Sequence, residues 1–156
     1  GEWGRGVKTE PLEVEYLGRS VYLPILRGWV PEVLRLFDGA EPSIVVGERS
    51  TTTVAAQALY FMNSQFVLDR ADRLARQLLD LKGSDSERIR EAYLRCFARL
   101  PDATEAQALQ DFVAAATQAN AAIDENAATK NDEAKLQAWS AMCQALLASA
   151  EFRYVY

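Results

Sequence analysis

The chain contains no histidine. That absence removes His-ligated zinc, haem attachment through a CxxCH pair, the Ser-His-Asp and Cys-His nucleophile pairs, and any imidazole pH switch. Cysteine is scarce too, with only Cys96 and Cys143. Each falls on an apolar helical stripe, which suits two buried free thiols, since unpaired cysteine behaves as a small apolar side chain. One bridge between them stays open to the sequence, although a chain of this length does not need it to fold. Cysteine usage therefore leaves the redox compartment undefined. No apolar run approaches the ~20 residues that span a bilayer, which argues against direct membrane insertion. EF-hand, P-loop and dinucleotide glycine patterns are missing. Neither a metal nor any other cofactor is expected from these residues.

Excess positive charge is lacking as well. The chain carries 17 Lys and Arg against 22 Asp and Glu, a net charge of −5. Only residues 51–100 are mildly basic, with 8 cations against 6 acids. Those cations alternate with acids at helical spacing, as in Asp69/Arg73, Asp72/Arg76 and Glu91/Arg95, the pattern of a solvated helix face. With no basic stripe interleaved with aromatics, nucleic acid is not an expected partner.

What is present is 156 residues that are 49% apolar and 25% charged, enough to bury one sizeable core without staples. Residues 1–12 read as a linker or expression remnant: Gly1 to Gly6 offer neither Met nor the charged-then-apolar pattern of a signal, as if cut from something longer. Residues 13–156 read as a single helical domain. It opens with alternation on both sides of Gly18-Arg19, over Glu13 to Leu17 and Ser20 to Leu26, which predicts an N-terminal β-hairpin whose Pro24 strand is an edge. Such a hairpin must pack on helices or pair with another part of a longer chain.

Helical signals then follow in order. Pro31 precedes a short helix through Leu36-Phe37, and Val54 to Met62 reads as one helix. Ser64 caps another that runs to about Lys82, with Val67, Ala71, Leu74, Leu78 and Leu81 inward and Gly83 at its end. Ser84 and Glu87 have capping-box spacing, and Ile89, Ala92, Tyr93, Cys96, Phe97 and Leu100 form the next stripe. Asp102 and Glu105 repeat that start signal, ahead of Leu109, Phe112, Val113 and Ala116. The Ala-, Asn- and Asp-rich stretch near 118–134 reads as a variable linker where the helix frays. A last helix, from about Glu133 to Ala148, carries Leu136, Trp139, Cys143, Leu146 and Leu147. The expected class is mainly α, a bundle-like domain of five to six helices with the hairpin at its start.

Several separated runs resemble one family. They are Arg19-Ser20-Val21-Tyr22-Leu23-Pro24; Leu36-Phe37-Asp38 with Glu41-Pro42-Ser43; Gly47-Glu48-Arg49; Thr52-Thr53-Val54 through Phe66-Val67; Ala92-Tyr93 with Arg99-Leu100-Pro101 and Glu105; and Trp139 with Gln144 through Val155. Together, from Arg19 to Val155, they resemble the C-terminal portion of the planctomycete-type family catalogued as domain of unknown function 1553. The pattern departs at Ala55-Ala56, where the family usually has prolines, and at Ala148, usually Asn. The resemblance implies a large exported, multidomain protein with an extracytoplasmic setting. Its implied partners are the upstream domains of the same polypeptide, a cytochrome c-like domain among them. It implies no established activity.

For chemistry, the richest local run is Arg49-Ser50-Thr51-Thr52-Thr53 ahead of a helix. Its hydroxyls either cap that helix while Arg49 pairs with an acid such as Glu41, or, with Arg19 and Arg27, hold an anion at the helix start. Asn63-Ser64 reads as a helix corner. Tyr16, Tyr22, Trp29, Tyr154 and Tyr156 are candidate interface or sugar-docking aromatics, the alternative being that they cover the hairpin. Paired acids such as Asp124 and Glu125 sit in polar settings that do not tune them for acid/base work. No catalytic residue is assigned. The functional expectation is a binding or structural module of a larger exported protein. The alternatives are half of a composite active site completed by the upstream domain, and a carbohydrate-binding surface.

Overall fold

The computed structural model describes residues 32–37, 54–123 and 130–153. Seven helices occupy them: α1 (Glu32–Leu36), α2 (Val54–Asn63), α3 (Gln65–Leu79), α4 (Asp85–Phe97), α5 (Ala103–Ile123), α6 (Lys130–Ala148) and α7 (Ala150–Arg153). No β-strand occurs among the described residues, which corrects the expected class from helices with a hairpin to helices alone. The stretch on which the hairpin was placed, 13–26, lies outside the described residues. Alternation over five residues is a weak signal on its own, and the described part provides no sheet for a hairpin to join, without which two strands are marginal in water. No helix among the described residues is long and apolar enough to cross a membrane.

The chain divides into two compact units, residues 1–57 and 58–156. In the first, the buried Gln57 side chain donates from Nε2 to the Leu36 carbonyl at 3.1 Å, holding the start of α2 to the last turn of α1. The second holds the core. There α6 packs against both α3 and α5, with α4 closing on α3 and α5. On α3, Val67, Ala71, Ala75 and Leu78 are buried, a spacing of four, four and three that keeps one stripe inward. Ala71, Ala75 and Leu78 share a cluster with Ile89, Ala92 and Tyr93 of α4, Val113 of α5, and Trp139, Met142 and Cys143 of α6. Small residues on α3 and bulky ones on α6 are complementary volumes, which a close-packed interior requires.

Helix ends follow local chemistry. Ser84 and Glu87 form a complete capping box: the Ser84 hydroxyl accepts from the Glu87 amide at 3.3 Å, and Glu87 Oε2 accepts from the Ser84 amide at 2.7 Å. Asp102 and Glu105 exchange the same bonds at the start of α5, at 2.7 and 2.8 Å. Ser64 precedes α3 with extended backbone but makes no side-chain cap, while Asn63 ends α2 by donating from Nδ2 to the Leu59 carbonyl at 2.9 Å. Helix α3 stops at Leu79, short of the Lys82 to which its apolar stripe and Gly83 point. Helix α5 runs on to Ile123, because the alanines read as a fraying signal are the strongest helix formers.

Candidate functional site

Two polar constellations stand out in residues 58–156. The first centres on Arg99. Helix α4 ends at Ala98, which sits in the left-handed region (φ 55°) with its amide bonded to the Leu94 carbonyl. That turn swings Arg99 back over its own helix, where the guanidinium lies 5.2 Å from the Tyr93 ring centroid and 5.8 Å from that of Phe97. Its donors are shared between two carboxylates. Nη1 and Nη2 donate to Glu105 at 2.8 and 2.7 Å, while Nε and Nη2 donate to Glu151 at 2.6 and 2.8 Å. One arginine thus joins the end of α4, the start of α5 and the short α7. Hydrogen bonds from Arg99, and then from the Asp102 amide, hold the Glu105 carboxyl down at about 2. Glu151 is lowered by the same guanidinium, and Arg99 is raised in turn.

The second is a cleft of about 480 Å³ between α4, α5 and α6. Its charged groups are Asp85 and Lys135, one acid and one base. Lys135 Nζ donates to both Asp85 oxygens at 3.0 Å, and Arg88 Nη1 adds a bond to Oδ1 at 2.6 Å. Arg88 is anchored from behind by the Leu81 and Leu79 carbonyls, at 2.9 and 3.4 Å. Burial alone would raise the Asp85 carboxyl, but the bonds from Lys135 and Arg88 outweigh it and leave Asp85 below the ordinary carboxylate range. Around this pair the cleft is lined by the amide side chains of Gln110, Gln118 and Asn131 and by Ile89, Val113 and Ala114. The three amides make no hydrogen bond to other described residues.

The two thiols are structural. Both are free; Cys143 is buried and Cys96 half-buried. Burial pushes Cys143 up to about 12 and raises Cys96 as well. No group of three or more metal-ligating side chains lies together among the described residues. The anion-holding candidates Arg19, Arg27, Arg49, Ser50, Thr51, Thr52 and Thr53 lie outside the described residues, as do the aromatics Tyr16, Tyr22, Trp29, Tyr154 and Tyr156. Of the expected surface pairs, Asp72/Arg76 and Glu91/Arg95 form at 2.8 Å. Asp69 instead accepts from Gln65 Nε2, at 2.8 Å.

Against known proteins, a family model described as PSD1, protein of unknown function (DUF1553), matches residues 7–113. The chain belongs to the DUF1553 family. No curated protein and no solved structure matches it. The matched stretch ends inside α5, short of the Val155 to which the sequence resemblance extends. It contains Tyr93, Arg99 and Glu105, which form the arginine clasp, and Glu151 joins them from beyond the match. Sequence reasoning singled out these residues without their geometry. It missed the cleft altogether, since Asp85 and Lys135 stand 50 positions apart and neither belongs to a local motif.

Proposed function

We propose that this DUF1553 chain is a binding and structural module of a larger exported polypeptide, acting by what it holds rather than by a reaction of its own. One observation carries the reading. Every resolved change in acidity among the described residues moves its group away from neutrality: Asp85, Glu87, Glu105 and Glu151 downward, and Cys96, Cys143, Tyr93, Arg76 and Arg99 upward. General acid/base catalysis and nucleophilic attack need the opposite, a group tuned toward the working pH. Here Asp85, Glu105 and Glu151 are held in ion pairs and Glu87 in a cap. The resemblance to exported multidomain proteins supports an extracytoplasmic setting, with the upstream domains of the same polypeptide, a cytochrome c-like domain among them, as the partners.

Side-chain carboxyl titration followed by NMR tests the chemical half of the reading. None of the four carboxyls is expected to change charge between about pH 5 and pH 8, the window in which an acid/base group works. The thiol of Cys143 is expected to resist alkylation until the chain is unfolded. A carboxyl titrating near neutrality, or rapid alkylation of Cys143 in the folded state, contradicts the proposal. Calorimetric titration of this chain with the upstream part of its polypeptide tests the other half, with a saturable complex expected and an absence of heat counting against it.

A further inference from the structure

The cleft between α4, α5 and α6 has features that packing does not explain. We infer that it binds a neutral polyhydroxylated ligand, the size of one or two sugar rings, through its amide side chains. This rests on the reading of the chain as a binding module and adds the chemical class of what is bound.

The charges come first. Asp85 and Lys135 line the cleft and already neutralise one another at 3.0 Å, so an ionic ligand would have to break that pair to gain a partner. A neutral ligand need not. The pair nonetheless keeps hydrogen-bonding capacity. Asp85 Oδ1 is committed to both Arg88 and Lys135, while Oδ2 accepts from Lys135 alone and so retains a lone pair for a hydroxyl. Lys135 spends its bonds on one carboxylate and keeps a donor.

The amides come second. Gln110, Gln118 and Asn131 are supplied by two helices, line the same cleft and make no hydrogen bond to other described residues. Elsewhere in residues 58–156 amides are used: Gln65 and Gln107 each donate to an aspartate one turn on, and Gln144 donates to the Met62 carbonyl. Each amide offers a donor and an acceptor side by side, the pairing that neighbouring hydroxyls present in return. Ser86, also in the lining, adds a hydroxyl. The apolar lining is Ile89, Val113 and Ala114, of which Ala114 is the exposed one. At about 480 Å³ the cleft falls within the range of roughly 300–1,000 Å³ usual for small-molecule sites.

The test is a ¹H–¹⁵N correlation spectrum of the labelled chain, titrated separately with lactose, cellobiose and maltose, and with triglycine as a neutral amide-bearing contrast. At least one disaccharide is expected to shift the side-chain NH₂ signals of Gln110, Gln118 and Asn131 in a saturable manner. Gln110→Ala and Gln118→Ala should each weaken that binding about fivefold to tenfold, the loss of one hydrogen bond. Both should leave the melting temperature unchanged, and Arg76→Ala, in the exposed pair on α3, should bind as the unaltered chain does. If triglycine moves the three signals and no disaccharide does, the ligand class is wrong while the cleft remains a binding site. If no probe moves them, the inference falls, and the non-catalytic reading is still decided separately by the carboxyl titration.

Discussion

Trp139 shows how little at the residue scale is devoted to polar chemistry in this core. It is completely buried, yet its indole N–H finds no hydrogen-bond partner among the described residues. An unsatisfied buried donor opposes folding by about 1–3 kcal/mol, so the residue is retained for volume and ring area. Truncation and ring replacement should therefore differ sharply. Trp139→Ala opens a cavity among Leu78, Ile89 and Met142, and is expected to cost about 3–5 kcal/mol in urea unfolding. Trp139→Phe keeps an aromatic ring and removes the orphaned donor, so its loss should be less than half as large. Equal losses would mean that the indole nitrogen has a partner after all.

At the scale of elements, the turn between α3 and α4 couples a glycine to a cap. Gly83 has φ +146°, and a methyl group placed there would lie 2.6 Å from Glu87 Oε2, the oxygen that closes the capping box on Ser84. Gly83→Ala therefore strains the backbone and displaces the capping carboxylate together. It should destabilise the chain by about 1–3 kcal/mol, against about 1 kcal/mol for Ser84→Ala, which loses only the cap. The double variant should fall short of the sum, because both changes break the bond that the Ser84 hydroxyl donates to Glu87 Oε2 at 3.0 Å. A fully additive result in urea melts would show that the two do not act through Glu87.

Elements of this kind were legible in the sequence because their causes are local. Ser84 with Glu87, and Asp102 with Glu105, announce helix starts within four residues, and the stripes through Val67 to Leu78 and Ile89 to Tyr93 follow from helical period. Phe112, expected inward, is 43% exposed, because α5 turns Val113 inward and Phe112 lies about 100° round from it. Leu100 is exposed for another reason, since the left-handed Ala98 has already ended the helix whose stripe it would have continued. The sites were harder to read. Arg99 with Glu151, and Asp85 with Lys135, are separated by 52 and 50 positions, and nothing local brings such partners together until the helices have packed.

For the second unit as a whole, the Arg99 clasp makes stability depend on pH in a direction that can be worked out. Glu105 ionises at about 2 in the folded chain against an ordinary value of 4.5, and Glu151 is lowered beside it. A carboxylate lowered by folding stabilises the fold fully at pH values above its unfolded value, and that contribution disappears as pH falls toward the folded value. The melting temperature should hence be level above about pH 5 and decline steeply from about 4.5 toward 2. Arg99→Ala lowers the plateau and also flattens the decline, since without the guanidinium the two carboxyls return toward ordinary values. The pair is partly exposed, so added salt should shrink the difference between the two proteins. The substitution also unfastens α7, and amide exchange over Ala150–Arg153 should accelerate more than exchange in α6, whose core residues Trp139, Met142 and Cys143 the clasp does not touch. An Arg99→Ala curve that runs parallel to the original through the acid range would assign the acid sensitivity to other groups, Asp85 first, and leave the clasp a bystander.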